Sequence, residues 1–470
     1  MAEYPNILFL MTDEHRADVT GYEGNSIIRT PVLDELARTG VVFRNAYTPS
    51  PICVPGRQSM MSGQLPKTAG CEQYGEDLPP GYMTFARRFA QYAYETVACG
   101  KLHHMGVDQM QGWTHRIGNE THVHPRYIEG RNEEAFARFY RPTSAFKWSD
   151  AKEIKRAGIG RGPSVVADEY TVQGALNFIE RYFLDPYYDR AQPDRPLLLK
   201  VSLVQPHYPY IADAEKFTYY LNRVEPFLEE DVFPHPFLSQ RQVRPGVDAS
   251  EREIRRATAT YYAMVETADE HFGRVMEALR HAGQDLDDWI IIYTSDHGEM
   301  LGQHGIWEKQ KFFEASVRVP LIIRWPRRFP GGRIIDENVN LCDLFATLCE
   351  LAGIPIPPGL DSRSLIPLLK GDAEDWDNET VSQFGRTNVM IKWDHLKYQY
   401  YGEDMPEVLF DLARDPDEST NFIEEPDYAA IVAAFRRRLG QLGHGPDADP
   451  NYVNAGYGAD SHVPRDIMPR

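Results

Sequence analysis

The sequence predicts an α/β fold: one large, mostly parallel sheet sandwiched between helices, followed by a smaller C-terminal α+β subdomain. Three observations carry this expectation. Fully apolar runs recur through about the first 375 residues, and each ends in polar or charged side chains. Between them lie segments whose apolar residues repeat at helical spacing, and strands alternating with helices imply a parallel sheet. Beyond that point the apolar runs become short and the turns frequent.

The first run, Ile7-Leu8-Phe9-Leu10-Met11, ends in Thr12-Asp13-Glu14. A run of this kind reads as a strand buried on both faces. Thr30-Pro31 reads as a helix start, with Val32, Leu33, Leu36 and Ala37 at helical spacing. Residues 82–92 read as a helix, and Thr96-Val97-Ala98-Cys99 as a strand ending at Gly100-Lys101. Another strand, 197–204, runs into Gln205-Pro206-His207. Over 259–279, Tyr262, Val265, Phe272, Val275, Met276 and Leu279 form one apolar helical stripe. Trp289-Ile290-Ile291-Ile292-Tyr293 is a strand leading to Asp296-His297; 319–325 is a further strand and 341–351 a helix. In the C-terminal part, 389–392 and 396–401 read as short antiparallel strands, 411–421 as turns and 429–442 as a helix.

The expected units are therefore 1–375, 376–442 and an extended tail, 443–470. The tail has no periodicity and reads either as disordered or as an arm around a neighbouring subunit, which is the basis for expecting a homo-oligomer.

Composition narrows the function. A net charge of −19 over 470 residues argues against nucleic acid or an anionic membrane as partner. It leaves room for an anionic substrate, since a local cluster of cations overrides the global sign. No apolar stretch approaches the roughly 20 residues of a membrane span, and Met1-Ala2-Glu3-Tyr4-Pro5 lacks the basic start of a signal peptide. Cys53, Cys71, Cys99, Cys342 and Cys349 are odd in number and scattered, which points to the cytoplasm and away from a disulfide framework.

Candidate functional residues fall just past strand ends, where open parallel sheets place their sites. Asp13, Glu14, Asp296 and His297 offer carboxylates and one imidazole. That donor set suits a divalent cation: Ca²⁺ first, with Mg²⁺ or Mn²⁺ as alternatives.

Between these ends lies Cys53-Val54-Pro55-Gly56-Arg57, continued by Gln58-Ser59-Met60-Met61-Ser62-Gly63. This C-x-P-x-R pattern resembles the signature of the type I, formylglycine-dependent sulfatases of the alkaline phosphatase superfamily. Gly100-Lys101-Leu102-His103 is similar to that family's G-K-x-H segment. Leu301-Gly302-Gln303-His304-Gly305-Ile306-Trp307-Glu308-Lys309 is similar to its L-G-x-H-G-x-W-x-K run.

The resemblance implies an alkaline phosphatase-like fold and hydrolysis of a sulfate monoester to an alcohol and inorganic sulfate. It implies that a formylglycine-generating maturation enzyme oxidises Cys53, whose hydrated aldehyde is the nucleophile. It further implies that Arg57 holds that group and the metal ligands, that Lys101 and Lys309 bind the sulfate, and that His103 contacts the formylglycine. His207 takes the place of the histidine that protonates the leaving oxygen, and Asp13, Glu14, Asp296 and His297 the place of the metal ligands. Gly56 stands where the family has a small Ser, Ala or Thr.

Two alternatives stay open. Phosphonate monoester and phosphodiester hydrolases share the Asp296-His297 pattern but lack counterparts of Lys101 and His103. A dormant member would keep the Cys53 thiol. The alcohol is less defined: several segments look like choline sulfatase, yet Gln73-Tyr74-Gly75 departs from the Asn-containing segment expected there. Trp113, Tyr182, Tyr187, Tyr188, Tyr208 and Tyr210 are candidates to cage a quaternary ammonium or stack on a sugar.

Overall fold

The computed structural model describes residues 4–118, 123–139, 151–184, 193, 195–229, 233–448, 452 and 463–469. Tyr187 and Tyr188, and half of the tail, lie outside them. Eight strands form the central sheet: β1 (Ile7–Asp13), β2 (Val41–Phe43), β3 (Glu95–Gly100), β4 (His115–Ile117), β5 (Leu197–Pro206), β6 (Ile290–Ser295), β7 (Leu321–Arg324) and β8 (Arg333–Ile335). Their order across the sheet is β8-β2-β7-β6-β1-β5-β3-β4. β6, β1, β5, β3 and β4 run parallel to one another, and β7 is antiparallel to both β6 and β2. The sheet is thus mostly parallel, as its fully apolar strands require: all seven residues of β1 are buried.

Alternation along β1 feeds two cores. Ile7, Phe9 and Met11 face helices α2 (Cys53–Ser62) and α3 (Phe85–Gln91), while Leu8 and Leu10 pack towards α1 (Pro31–Thr39), α4 (Pro163–Tyr182) and α5 (Glu251–His281). A further helix, α6 (Asp343–Leu351), joins the first group through Leu344, Phe345 and Leu348.

Boundaries differ from expectation where capping decides them. α3 starts at Phe85 because the Thr84 hydroxyl accepts the Arg87 amide. α5 starts well before residue 259 because Ser250 and Glu253 form a reciprocal capping box. The single strand expected over 319–325 is two: Arg318–Val319 pairs with Ala46–Tyr47, Pro320 interrupts, and only Leu321–Arg324 joins the central sheet.

Beyond the α/β core, β9 (Glu379–Phe384), β10 (Asn388–Trp393), β11 (Leu396–Tyr400) and β12 (Val408–Asp411) make an antiparallel sheet in sequence order. Helix α7 (Ala429–Gln441) covers it by stacking Phe435 on Trp393, with ring centroids 4.0 Å apart. At its described positions the tail packs on its own chain. The Tyr452 and Thr68 hydroxyls are 2.7 Å apart, and Val463, Ile467 and Met468 join the core under α7.

Candidate active site at the strand ends

β1, β5 and β6 end side by side, and their register sets Thr12 beside Ser295 and Asp13 beside Pro206. The chain therefore delivers Asp13 and Glu14, His207, and Asp296 and His297 to one edge of the sheet, with Lys101 arriving just past β3. α2 closes the edge from above, every one of its ten residues buried. Gly56 explains its own identity: a Cβ there would sit 2.9 Å from the Ser50 carbonyl oxygen and 3.4 Å from that of Asp296.

Arg57 is the organiser. It is 1% exposed and donates four hydrogen bonds: Nε to Asp296 (2.7 Å), Nη2 to Asp13 (2.9 Å), and Nη1 to the Lys101 carbonyl (2.7 Å) and the Ser202 hydroxyl (2.9 Å). Its fork thus fixes both carboxylates in one plane. Lys101 Nζ adds a 2.7 Å ion pair to Asp13. Burial pushes the Asp13 carboxyl up, but Lys101, His207 and Arg57 outweigh it and hold the group well below the usual range.

Cys53 lies at the centre. Its Sγ is 3.2 Å from His297 Nε2 and 3.8 Å from Asp13 Oδ1. Burial, then the Asp13 charge, pushes its thiol far up, so it stays protonated. Donor atoms of Asp13, Cys53, Asp296 and His297 all fall within 4.8 Å of one another, and so do those of Asp13, Glu14 and His207.

On the far side, Lys309 Nζ sits 2.8 Å from both Glu14 Oε2 and His207 Nε2. The His207 Nδ1 faces the Tyr208 carbonyl at 2.6 Å and the His297 Nδ1 faces the Gly298 carbonyl at 3.0 Å. Each Nδ1 is therefore the protonated nitrogen, and each Nε2 turns a lone pair into the site. Burial, then Lys309 and Lys101, keeps His207 well below the usual imidazole value.

A divalent cation fits these residues. Asp13 and Asp296 are wholly buried, the His297 Nε2 lone pair points inwards, and Glu14 Oε1 is buried with no hydrogen-bond partner among the described residues. Without a cation, burial raises the Glu14 carboxyl well above its usual value despite Lys309.

The structure brings together the residues singled out in the sequence: Asp13, Glu14, Cys53, Arg57, Lys101, His207, Asp296, His297 and Lys309. His103, the tenth, joins them: burial, then Lys101 and Arg57, hold its ring well below the usual imidazole value, its carbonyl accepts from Gln58 Nε2 at 3.3 Å, and its ring meets Tyr74 edge-on. Of the candidate aromatics, Trp113 is a core residue packed on Phe85, and Tyr182 is half-buried and stacks on Phe178. Tyr208 stacks on His207, and Tyr210 donates to Glu299 at 3.1 Å. The sequence reading missed Ser202, the fourth acceptor for Arg57. Its signal was present: Lys200 and Ser202 are polar residues two apart in an otherwise apolar strand, hence on one face.

A family model described as Sulfatase matches residues 5–354, and one described as N-sulphoglucosamine sulphohydrolase, C-terminal, matches residues 302–444. The chain belongs to the sulfatase family. It is 31% identical to a choline-sulfatase of Rhizobium meliloti (strain 1021), covering 91% of this chain and 85% of that one. It is 29% identical to an arylsulfatase of Clostridium perfringens, covering 93% of each. Among solved structures it resembles a phosphonate monoester hydrolase of Agrobacterium radiobacter (TM-score 0.74, 22% identity, 93% and 95% of the two chains). It also resembles a protein solved with its substrate D-glucosamine-2-N,6-O-disulfate (TM-score 0.72, 20% identity, 93% and 97%). These likenesses establish the alkaline phosphatase-type fold, and the sulfatase is a hydrolase of sulfate esters.

Proposed function

We propose that this sulfatase cleaves a sulfate monoester using formylglycine made from Cys53 and a divalent cation, Ca²⁺ before Mg²⁺ or Mn²⁺, held by Asp13, Glu14, Asp296 and His297. One observation carries the reading: the residue at the centre of the charged site is a buried cysteine whose Sγ lies 3.2 Å from His297 Nε2 and 3.8 Å from Asp13 Oδ1, within the cluster of donors. A thiol there is a poor nucleophile and a soft donor among hard oxygen ligands. An aldehyde hydrate at the same position offers an oxygen nucleophile that suits both the cation and the cluster of donors.

The charges support the same conclusion. Asp13, Glu14 and Asp296 balance Arg57, Lys101 and Lys309. A divalent cation, which would polarise a sulfate oxygen and acidify a bound hydroxyl, leaves a positive surplus for an anionic ester. In this proposal Arg57 fixes the ligand carboxylates, and Lys101 and Lys309 swing from Asp13 and Glu14 to the sulfate oxygens. His103 steadies the nucleophile. His207, neutral in the resting site and accepting from Lys309, takes up a proton as anionic charge enters and delivers it from Nε2 to the leaving oxygen.

No helix among the described residues is long and apolar enough to cross a membrane. We place the enzyme in the cytoplasm on its five buried, unpaired cysteines. Maturation by a formylglycine-generating enzyme and assembly into a homo-oligomer belong to the same proposal.

The test is peptide mass spectrometry across residue 53 together with turnover of aryl sulfate and aryl phosphonate esters, before and after chelation. The reading expects an aldehyde, faster sulfate turnover and loss of turnover on chelation. An intact thiol after co-expression with a maturation enzyme, with no turnover, overturns it. Aldehyde with faster phosphonate cleavage promotes the phosphonate monoester hydrolase alternative, against which Lys101 and His103 speak.

A further inference from the structure

Two of the site histidines, His207 and His103, each carry a tyrosine. Tyr208 stacks on His207 with centroids 4.2 Å apart, and Lys309 Nζ lies 4.8 Å from its ring. That ring is already engaged within the site. Tyr74 is different: it meets His103 edge-on (5.9 Å, 89°) and remains 38% exposed, so aromatic surface stays open to solvent next to a site histidine.

The loop that presents Tyr74 is pinned from three directions. Glu76 accepts the amides of Glu72 (2.8 Å) and Gln73 (3.0 Å). Arg126 and the Tyr127 hydroxyl donate to the Gly75 carbonyl at 3.0 and 3.1 Å, and Gly75 turns the chain at a φ of 89°. From the C-terminal sheet, Gln383 holds Glu72, and Arg386 pairs with both Glu72 and Glu76. A ring fixed in this way binds without an ordering cost.

The same contacts set the local charge. Arg386 pairs with both glutamates of the loop, and the exposed Arg126 guanidinium stands at Gly75, so two cations face the two carboxylates. A quaternary ammonium group needs aromatic faces and negative potential; here it would meet a guanidinium beside a single ring. A sugar ring needs an apolar platform with hydrogen-bonding neighbours, and Arg126 would favour one bearing a carboxylate or second sulfate.

We propose that Tyr74 is the specificity-determining residue for the alcohol half of the substrate, and that this alcohol is a neutral or anionic sugar ring. The assignment rests on the sulfatase reading above and adds the substrate class. It also separates this chain from its choline-sulfatase relative, in line with the departure at Gln73-Tyr74-Gly75.

The test compares wild type, Tyr74→Phe and Tyr74→Ala on a panel of monosaccharide sulfates, a short alkyl sulfate and choline sulfate, with kcat and KM resolved and the aldehyde at position 53 measured in every preparation. The expected result is a KM for the preferred sugar sulfate raised roughly three- to tenfold in Tyr74→Ala, as for loss of one aromatic contact. Its kcat, the alkyl sulfate kinetics and all Tyr74→Phe values should stay near wild type. Equal losses on sugar and alkyl substrates, no loss on either, or a wild-type preference for choline sulfate overturns the assignment. Those failures leave the sulfatase reading standing, whereas a wild type lacking both aldehyde and sulfate turnover overturns the two together.

Discussion

Replacing Arg57 by lysine tests whether the guanidinium fork, and not its charge alone, builds the site. The native side chain is 1% exposed and makes four hydrogen bonds on two edges: Nε and Nη2 serve the two carboxylates, Nη1 the Lys101 carbonyl and the Ser202 hydroxyl. A lysine ammonium keeps the charge but concentrates its donors on one atom, so it reaches one edge at most. At least two bonds are lost. Hydrogen bonds involving charged groups contribute about 1.5–3 kcal/mol each, so Arg57→Lys should lower stability by about 3–6 kcal/mol. Because Arg57 orients Asp13 and Asp296 from behind, metal affinity should fall by about 10–100-fold. Urea unfolding at fixed metal concentration and calorimetric metal titration read the two effects separately, and saturating metal should restore part of the lost stability. An unfolding midpoint and a metal affinity both equal to wild type would show that charge alone suffices and refute the argument.

Further outcomes follow from other buried contacts. Arg438 forks onto Glu379, which also accepts the Trp393 indole, so Arg438→Met takes from a buried carboxylate the guanidinium that pairs with it. It should cost about 3–5 kcal/mol in urea unfolding while turnover per folded molecule is retained; a change of turnover would tie α7 to the site instead. His271 is held at about 4 by burial and then Arg274, below its unfolded value of 6.5. Its contribution is fully present above pH 6.5 and is lost as pH falls towards 4. His271→Gln should flatten the stability profile in that window by up to about 1.4 kcal/mol per pH unit, and an unchanged slope in urea titrations at stepped pH would count against this. Gly56→Ala places a Cβ 2.9 Å from the Ser50 carbonyl, so a loss of about 1–3 kcal/mol is expected, read as a shifted unfolding midpoint. No shift would mean that the loop at Ser50 yields freely.

Legibility in the sequence tracked how local the cause was. Asp13 and Asp296 were readable because an apolar run, Ile7 to Met11 and Trp289 to Tyr293, precedes each, so the first charged residue after the run had to lie at a sheet edge. Cys53, Arg57 and Lys309 were readable from their surrounding motifs. The three-residue strands β2, β4 and β8 were not, because partners distant in sequence define them. Helix α4 left a signal that was passed over: Val172, Ala175 and Ile179 line one face. The contact of Tyr74 with His103 was invisible for a different reason. Its loop is set by Gln383 and Arg386, roughly 310 residues away in sequence, and no local pattern encodes such a support.

Stability alone does not account for six charged side chains kept dry at one sheet edge. Buried ion pairs seldom repay the cost of desolvation, and apolar residues of equal volume would serve the fold as well. The arrangement makes sense as a site held near neutrality until cation and anion enter. Lys101 and Lys309 pair with Asp13 and Glu14. A divalent cation held by those carboxylates would leave both ammonium groups to a sulfate. Glu14 is the sharpest indicator, since one oxygen pairs with Lys309 while the other is buried without a partner among the described residues. What sets it apart is its company: Glu14 offers a ligand atom within 4.8 Å of those of Asp13 and His207, where a coordinating carboxylate would meet a cation.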